Sequence, residues 1–269
     1  MTIDLKRIQE SSSANRFIAA FRSTQTESSN RRKSIHSALI AKSEHVSNGD
    51  FKSIAPSDLS SLFEEYDRQC FRGFMSATLK LIGSSPVTFR LSKRMTSNGG
   101  STSLAKKKDA SGKVAHVFEI AIAIDMLYQQ FQNGDRSVTV SGLECSDRLL
   151  ALQSVFEHEL IHMLELALWE RSSCRQGRFQ KMARGVFGHT EFSHRMVTRK
   201  RRAASDYGIR IGSKVCFEFD GDRYEGFVNR ITKRATVLVK SGKGELYKDG
   251  HRYRKFYIPI TDLKLRSDA

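Results

Sequence analysis

Val155-Phe156-Glu157-His158-Glu159-Leu160-Ile161-His162-Met163-Leu164-Glu165-Leu166-Ala167-Leu168-Trp169 is the stretch on which the fold of this chain turns. Together with Leu149, Leu150 and Leu152 it carries apolar side chains around nearly the whole circumference of a helix. A helix that is apolar nearly all round sits inside its domain, not on its surface. The spacing predicts a helix from about Asp147 to Glu170, with Ser146 as N-cap and Asp147 favourably placed in the first turn. Polar side chains buried on such a helix need partners, and His158, Glu159, His162 and Glu165 are therefore the residues to explain.

His158-Glu159-Leu160-Ile161-His162 is an H-E-x-x-H sequence. Residues i and i+4 lie one above the other on a helix, so both imidazoles can reach one metal ion. Glu159 follows the first histidine and is rotated away from it, so its carboxylate can meet a water in the metal's shell without ligating the metal. Zinc lowers the pKa of such a water towards about 7, and a carboxylate can take its proton during attack on a carbonyl. The expected metal is therefore zinc, the expected ligands include His158 and His162, and Glu159 is the expected general acid/base. Glu165, one turn further on, is expected to support a ligand or to form a core salt bridge.

Working outward towards the N-terminus, Val138-Thr139-Val140 reads as a short strand, and Asp125 to Phe131 as helical. Val117 to Ile122 reads as a strand with Val117, Glu119 and Ala121 on one face and Phe118, Ile120 and Ile122 on the other. Lys106 to Gly112 is polar and reads as a loop, and Asn98-Gly99-Gly100 as a turn. Val87, Phe89 and Leu91 alternate with polar residues as a half-buried strand. Pro56-Ser57-Asp58 starts a helix whose Leu59, Leu62, Phe63, Tyr66, Cys70 and Phe74 share one face. Residues 1–55 are rich in Ser, Asn and basic residues; apart from Phe17-Ile18-Ala19-Ala20-Phe21 they lack apolar periodicity and are expected to form a flexible tail.

In the other direction, a second helix is expected from Gly177 to Phe187, ending a domain at about 198. Arg199-Lys200-Arg201-Arg202 then leads into short strand-like segments, which predict a small β-barrel over 199–269. From Arg195 to Ala269 there are 19 Lys/Arg against 9 Asp/Glu, so this quarter supplies +10 of the chain's net +16. So concentrated a basic excess points to a polyanion, most simply DNA or another nucleic acid. Arg252, Tyr253, Arg254 and Lys255 interleave cations for phosphates with a ring on which bases can stack, and are the expected contacts.

The remaining composition sets limits. No apolar run of about 18 residues is present, so no membrane span is expected. The N-terminus lacks a secretory signal, which predicts an intracellular, cytoplasmic protein. The four cysteines, Cys70, Cys145, Cys174 and Cys216, form no C-x-x-C pair and no disulfide framework.

From Leu62 to about His194 the chain resembles the SprT-like family of zinc metallopeptidases, to which the eukaryotic Spartan protease belongs. The resemblance rests on Tyr66-Asp67, Leu91-Ser92-Lys93-Arg94-Met95 leading to Gly99-Gly100, Phe118-Glu119-Ile120, the H-E-x-x-H helix, and Gly177-x-Phe179. It implies an α+β fold: a minimal zincin-like domain over 56–198 built round the active-site helix. It also implies a metallopeptidase acting on proteins associated with DNA. The family usually takes its third zinc ligand from a His-Gly-x-x-Phe sequence, but here Gln176 stands in the histidine's place. Amide oxygen is a poor zinc ligand beside imidazole or thiolate, which leaves His189, Cys174, Gln176 and His194 as candidates, with His189 the first choice by chemistry. The departure keeps a second reading open, a nucleic-acid-binding protein with a structural or inactive zincin-like domain. The C-terminal module resembles SH3-like or Tudor-like barrels.

Overall fold

The computed structural model describes residues 15–95, 98–108, 114–131, 137–192, 196 and 199–266. The chain divides into two compact units, Met1–Met196 and Val197–Ala269. Both mix helices and strands, so the class is α+β, without a closed barrel among the described residues. No described helix is long and apolar enough to cross a membrane.

The first unit begins with α1 (Asn15–Phe21) and α2 (Gln25–Lys42), which overturns the expectation of a flexible tail over 1–55; residues 1–14 lie outside the described residues. Thr24 and Glu27 cap α2 reciprocally, as a capping box does. Its inward stripe is Ser28, Arg32, Ile35 and Leu39. Half of that stripe is polar, so its periodicity is invisible to a hydrophobic pattern. Phe17 and Phe21 pack against Phe71 and Phe74 with ring centroids 5.0–6.1 Å apart. Burying a phenylalanine fully contributes about 1.5–3 kcal/mol, enough to hold so short a helix in place.

Next come α3 (Pro56–Tyr66), a π-helical turn (Asp67–Phe71) and α4 (Phe74–Leu81). Asp67 accepts from the backbone N–H groups of Met75 and Ser76 and so serves the orphan donors at the start of α4. A three-stranded sheet follows, β1 (Thr88–Ser92), β2 (Gly100–Lys108) and β3 (Val114–Ala123), in the order β1-β3-β2. β1 runs parallel to β3, and β2 antiparallel to it. The expected loop from Lys106 is in part strand: β2 reaches Lys108, while 109–112 lie outside the described residues. As an edge strand β2 is mostly exposed, so it needs no apolar alternation.

After α5 (Ile124–Tyr128), β4 (Val138–Val140) and β5 (Leu143–Cys145) form a hairpin turning on Ser141 and Gly142, both at positive φ. The helix α6 (Arg148–Trp169) then runs through the unit, with Leu149, Leu152, Phe156, Leu160, Ile161, Met163 and Leu164 fully buried. Its N-cap is Asp147 rather than Ser146: the carboxylate accepts from Leu150 N at 2.8 Å. α6 packs on β2, β3, β4 and β5 and also on α2, α4, α5 and α7 (Gly177–Phe187).

The second unit starts with α8 (Arg199–Tyr207) and continues as an antiparallel sheet of β6 (Lys214–Phe219), β7 (Asp222–Ile231), β8 (Ala235–Leu246), β9 (Arg252–Ile258) and β10 (Lys264–Leu265). The order is β10-β6-β7-β8-β9, and β9 does not pair with β10, so the expected barrel stays open. Pro259 ends β9 without an N–H to donate, and β10 is only two residues long. Val215, Phe217, Val228, Val237, Phe256 and Ile258 make its core with Ala203 of α8.

Candidate metal centre

The imidazoles of α6 meet as the i, i+4 spacing requires: His158 Nε2 and His162 Nε2 are 3.1 Å apart. Phe179 of α7 packs on both rings, at 4.7 and 4.4 Å between centroids, and limits their rotation. His162 Nδ1 lies 2.6 Å from Ser172 Oγ, whose own proton goes to Glu165 Oε2 at 2.6 Å. Ser172 has one proton to give, so His162 Nδ1 must be the donor in that contact, and its Nε2 carries the lone pair. Burial lowers the His162 pKa, against the opposing pull of Glu165, and so favours the neutral, ligating form. Glu165 is fully buried and accepts from Arg178 Nε at 2.6 Å, while the Arg178 guanidinium stacks over Trp169 at 4.3 Å. The expected core salt bridge of Glu165 is present, and Ser172 links its carboxylate to His162.

The third donor comes from the loop between α6 and α7. Cys174 Sγ and the two imidazoles lie within 4.8 Å of one another, a group of three half-buried donors able to hold a metal ion. Tetrahedral zinc with Zn–N of about 2.0–2.1 Å sets its two nitrogens about 3.3 Å apart. The observed 3.1 Å needs only a few tenths of an ångström of adjustment, and a thiol completes a donor set suited to that ion.

His189, the first-choice third ligand, is not there. It is fully buried, and its Nε2 is bonded to Glu157 Oε2 at 2.8 Å. Gly188, at φ +74, ends α7 and turns the chain back beneath α6. Gln176 is the exposed residue before α7 and is not among the residues that line the cleft. His194 lies outside the described residues.

Glu159 sits in the same cleft, a cavity of about 560 Å³ lined also by Asn98 to Thr102, Val140, Val155, Leu166 and Phe192. The residue is 4% exposed, and its carboxylate accepts from Thr102 Oγ1 at 2.7 Å. Burial pushes its pKa up to about 7, against the Thr102 hydrogen bond that favours the charged form. Gly100 leaves the space that Glu159 fills: a Cβ there would stand 2.7 Å from Glu159 Cγ and Oε1.

The family models, curated proteins and solved structures with which the chain was compared contain no match.

The sequence marks Gly100 only as part of a turn, and gives no role to Thr102 or Ser172. The alternation of Gly100, Thr102 and Leu104 with Ser101, Ser103 and Ala105 was the available signal for β2, masked by its low hydrophobicity. Ser172 carried no signal, since its role depends on where the loop after α6 lies.

In the second unit, the four expected nucleic-acid contacts do not form one surface. Strand alternation sends Arg252 and Arg254 to one face of β9, and Tyr253 and Lys255 to the other. Tyr253 is buried, edge-on to Phe227 and Tyr247, and donates to Asp249 at 2.7 Å, which corrects the expectation that its ring stacks on bases. Lys255 pairs with Glu245 at 2.6 Å, and Arg254 stacks over Phe256. Tyr257 is the exposed ring of this strand.

Proposed function

We propose that this chain is a zinc-dependent peptidase with His158, His162 and Cys174 as metal ligands and Glu159 as general base. The observation that carries the reading is the convergence of two imidazoles, a thiol and a buried carboxylate in one cleft. The order of β1, β2, β3 and the motif helix is in keeping with a minimal zincin-like domain of the SprT-like kind.

Zinc held there supplies Lewis acidity, polarising a peptide carbonyl and lowering the pKa of a water. The chain supplies everything else. Ser172 and Glu165 hold His162 in the ligating tautomer. Glu159 takes the proton of the attacking water and returns it to the leaving amine. β2, an edge strand whose first residues line the cleft, offers free backbone groups to which an extended peptide can add. Among the described residues, the side chains lining the cleft apart from the motif itself are uncharged.

The second unit holds the protein on nucleic acid through its basic excess, with Arg252 and Arg254 exposed at the start of β9. Binding of this kind weakens steeply as salt rises.

The test is metal content and cleavage of casein by the full chain, with and without single-stranded DNA. Wild type should hold one zinc; His162→Ala and Cys174→Ala should lose it, and His189→Ala should keep it. Glu159→Gln should keep the metal and cleave at least ~10²-fold more slowly. A zinc-loaded wild type that cleaves nothing would favour the other reading, a nucleic-acid-binding protein whose metal site is structural.

A further inference from the structure

Glu159 carries its carboxylate into the buried wall of the cleft, and a glutamate side chain has three torsions to lose before that carboxylate has one position. On α6 itself nothing fixes it. What surrounds it belongs to β2, a strand distant in sequence. Gly100 and Thr102 are two residues apart and so face the same side of that strand. Thr102 Oγ1 lies 2.7 Å from Glu159 Oε2 and 3.0 Å from the Glu159 carbonyl oxygen, so its one proton lies between two acceptors of that residue, the carboxylate the nearer. Gly100 is not at positive φ, so its requirement is space: a Cβ would meet Glu159 Cγ and Oε1 at 2.7 Å and Cδ at 2.9 Å. One residue thus leaves the slot and the other holds the carboxylate in it.

We propose that Gly100 and Thr102 are positioning residues for the Glu159 carboxylate, making the edge strand part of the proton-transferring apparatus as well as a wall of the cleft. The inference deepens the peptidase reading and rests on it for its consequence in catalysis. A base must lie within about 3 Å of the proton it takes, and a 1 Å misplacement costs on the order of 10²-fold in rate. Removing the hydroxyl frees the carboxylate to rotate; adding a methyl at residue 100 drives it out. The atoms struck are the far end of a flexible side chain, so the fold can absorb the methyl by moving Glu159.

The test uses the full chain in two arms. In the zinc-loaded protein, with labelled casein as substrate, Thr102→Val should lower kcat about 10-fold or more and Gly100→Ala about 10²-fold. KM, zinc stoichiometry and the thermal midpoint should stay near wild type. Thr102→Ser, which restores the hydroxyl, should recover most of the rate. In the metal-free protein, the ¹³C carboxyl resonance assigned to Glu159 by its absence in Glu159→Gln should move in Thr102→Val and Gly100→Ala, and stay in Thr102→Ser. The second arm needs no peptidase activity, so it tests the positioning even if casein is not cleaved. An unmoved resonance in Thr102→Val, or a Thr102→Ser variant as slow as Thr102→Val, would overturn the proposal. Should Gly100→Ala fail to fold, the valine and serine variants decide the question alone.

Discussion

Glu157 and Glu159 are two residues apart on one helix, both buried, and they meet opposite fates. Glu157 turns towards α2 and α7. It accepts from Arg32 Nε and Nη2, each at 2.8 Å, from the Tyr66 hydroxyl at 2.8 Å and from His189 Nε2 at 2.8 Å. Burial alone would raise its pKa, but Arg32 and His189 outweigh it and hold the carboxylate below its ordinary range. Glu159 turns towards the cleft, where, among the described residues, the Thr102 hydroxyl is its donor and burial prevails. The helix imposes burial on both, and the charge of Arg32 beside Glu157, with the hydrogen bonds around it, decides the rest. A carboxylate with four donors is a structural anion; a carboxylate with one stays close to protonation equilibrium near neutral pH, where it can exchange protons.

The sharpest way to break this contrast is to remove the donors' target on the closed side. Glu157→Ala leaves the Arg32 guanidinium buried without its anion, and should cost about 3–5 kcal/mol of unfolding free energy in urea titration. Arg32→Met should cost a similar amount, and Arg32→Met with Glu157→Leu much less than the sum. Additive losses would show that the pair is not coupled as the geometry requires.

The open side predicts a pH dependence of the opposite sense. The folded pKa of Glu159, about 7, stands above the unfolded value. Its contribution to stability is therefore fully present below about pH 4.3 and lost as pH rises to 7. Metal-free Glu159→Gln has no carboxylate to ionise in the cleft. It should be more stable than metal-free wild type by about 3–4 kcal/mol at pH 8, with the gap closing by pH 4 to 5. Parallel stability–pH curves for the two proteins would remove the distinction between the two glutamates.

The smallest effect is on the metal itself. Ser172→Ala frees His162 Nδ1 and takes a donor from Glu165, and should weaken zinc binding about 10- to 100-fold in a chelator competition. An unchanged affinity would mean that Phe179 alone orients the ring.

Much of this architecture is legible in the sequence because it is local. The proline that opens α3 is a local signal, and the alternation of Phe118, Ile120 and Ile122 and the length of α6 follow from periods of 2 and 3.6 residues. Segments whose inward stripe is polar defeat the same reasoning. Arg32 in α2 and Thr102 in β2 face inward because a partner on a distant element accepts or donates there, and no window of neighbouring residues contains that partner. Tyr253 escapes sequence reasoning for a related reason: its place in a run of cations suggests exposure, while the pairing of β9 with β8 buries it beside Phe227.

By itself the sequence determined that His158 and His162 face one point and that Glu159 stands beside them, because helical geometry leaves residues i and i+4 no other choice. Only the tertiary structure decided which residue joins them. Gln176, His189 and Cys174 lie on the chain that leaves α6, at separations over which a backbone can turn in any direction. The turn at Gly188 carries His189 to Glu157 on the far side of α6, and the loop after Glu170 brings Cys174 to the near side. Local periodicity is set by backbone sterics; the choice among distant donors is set by where packing lets the chain return.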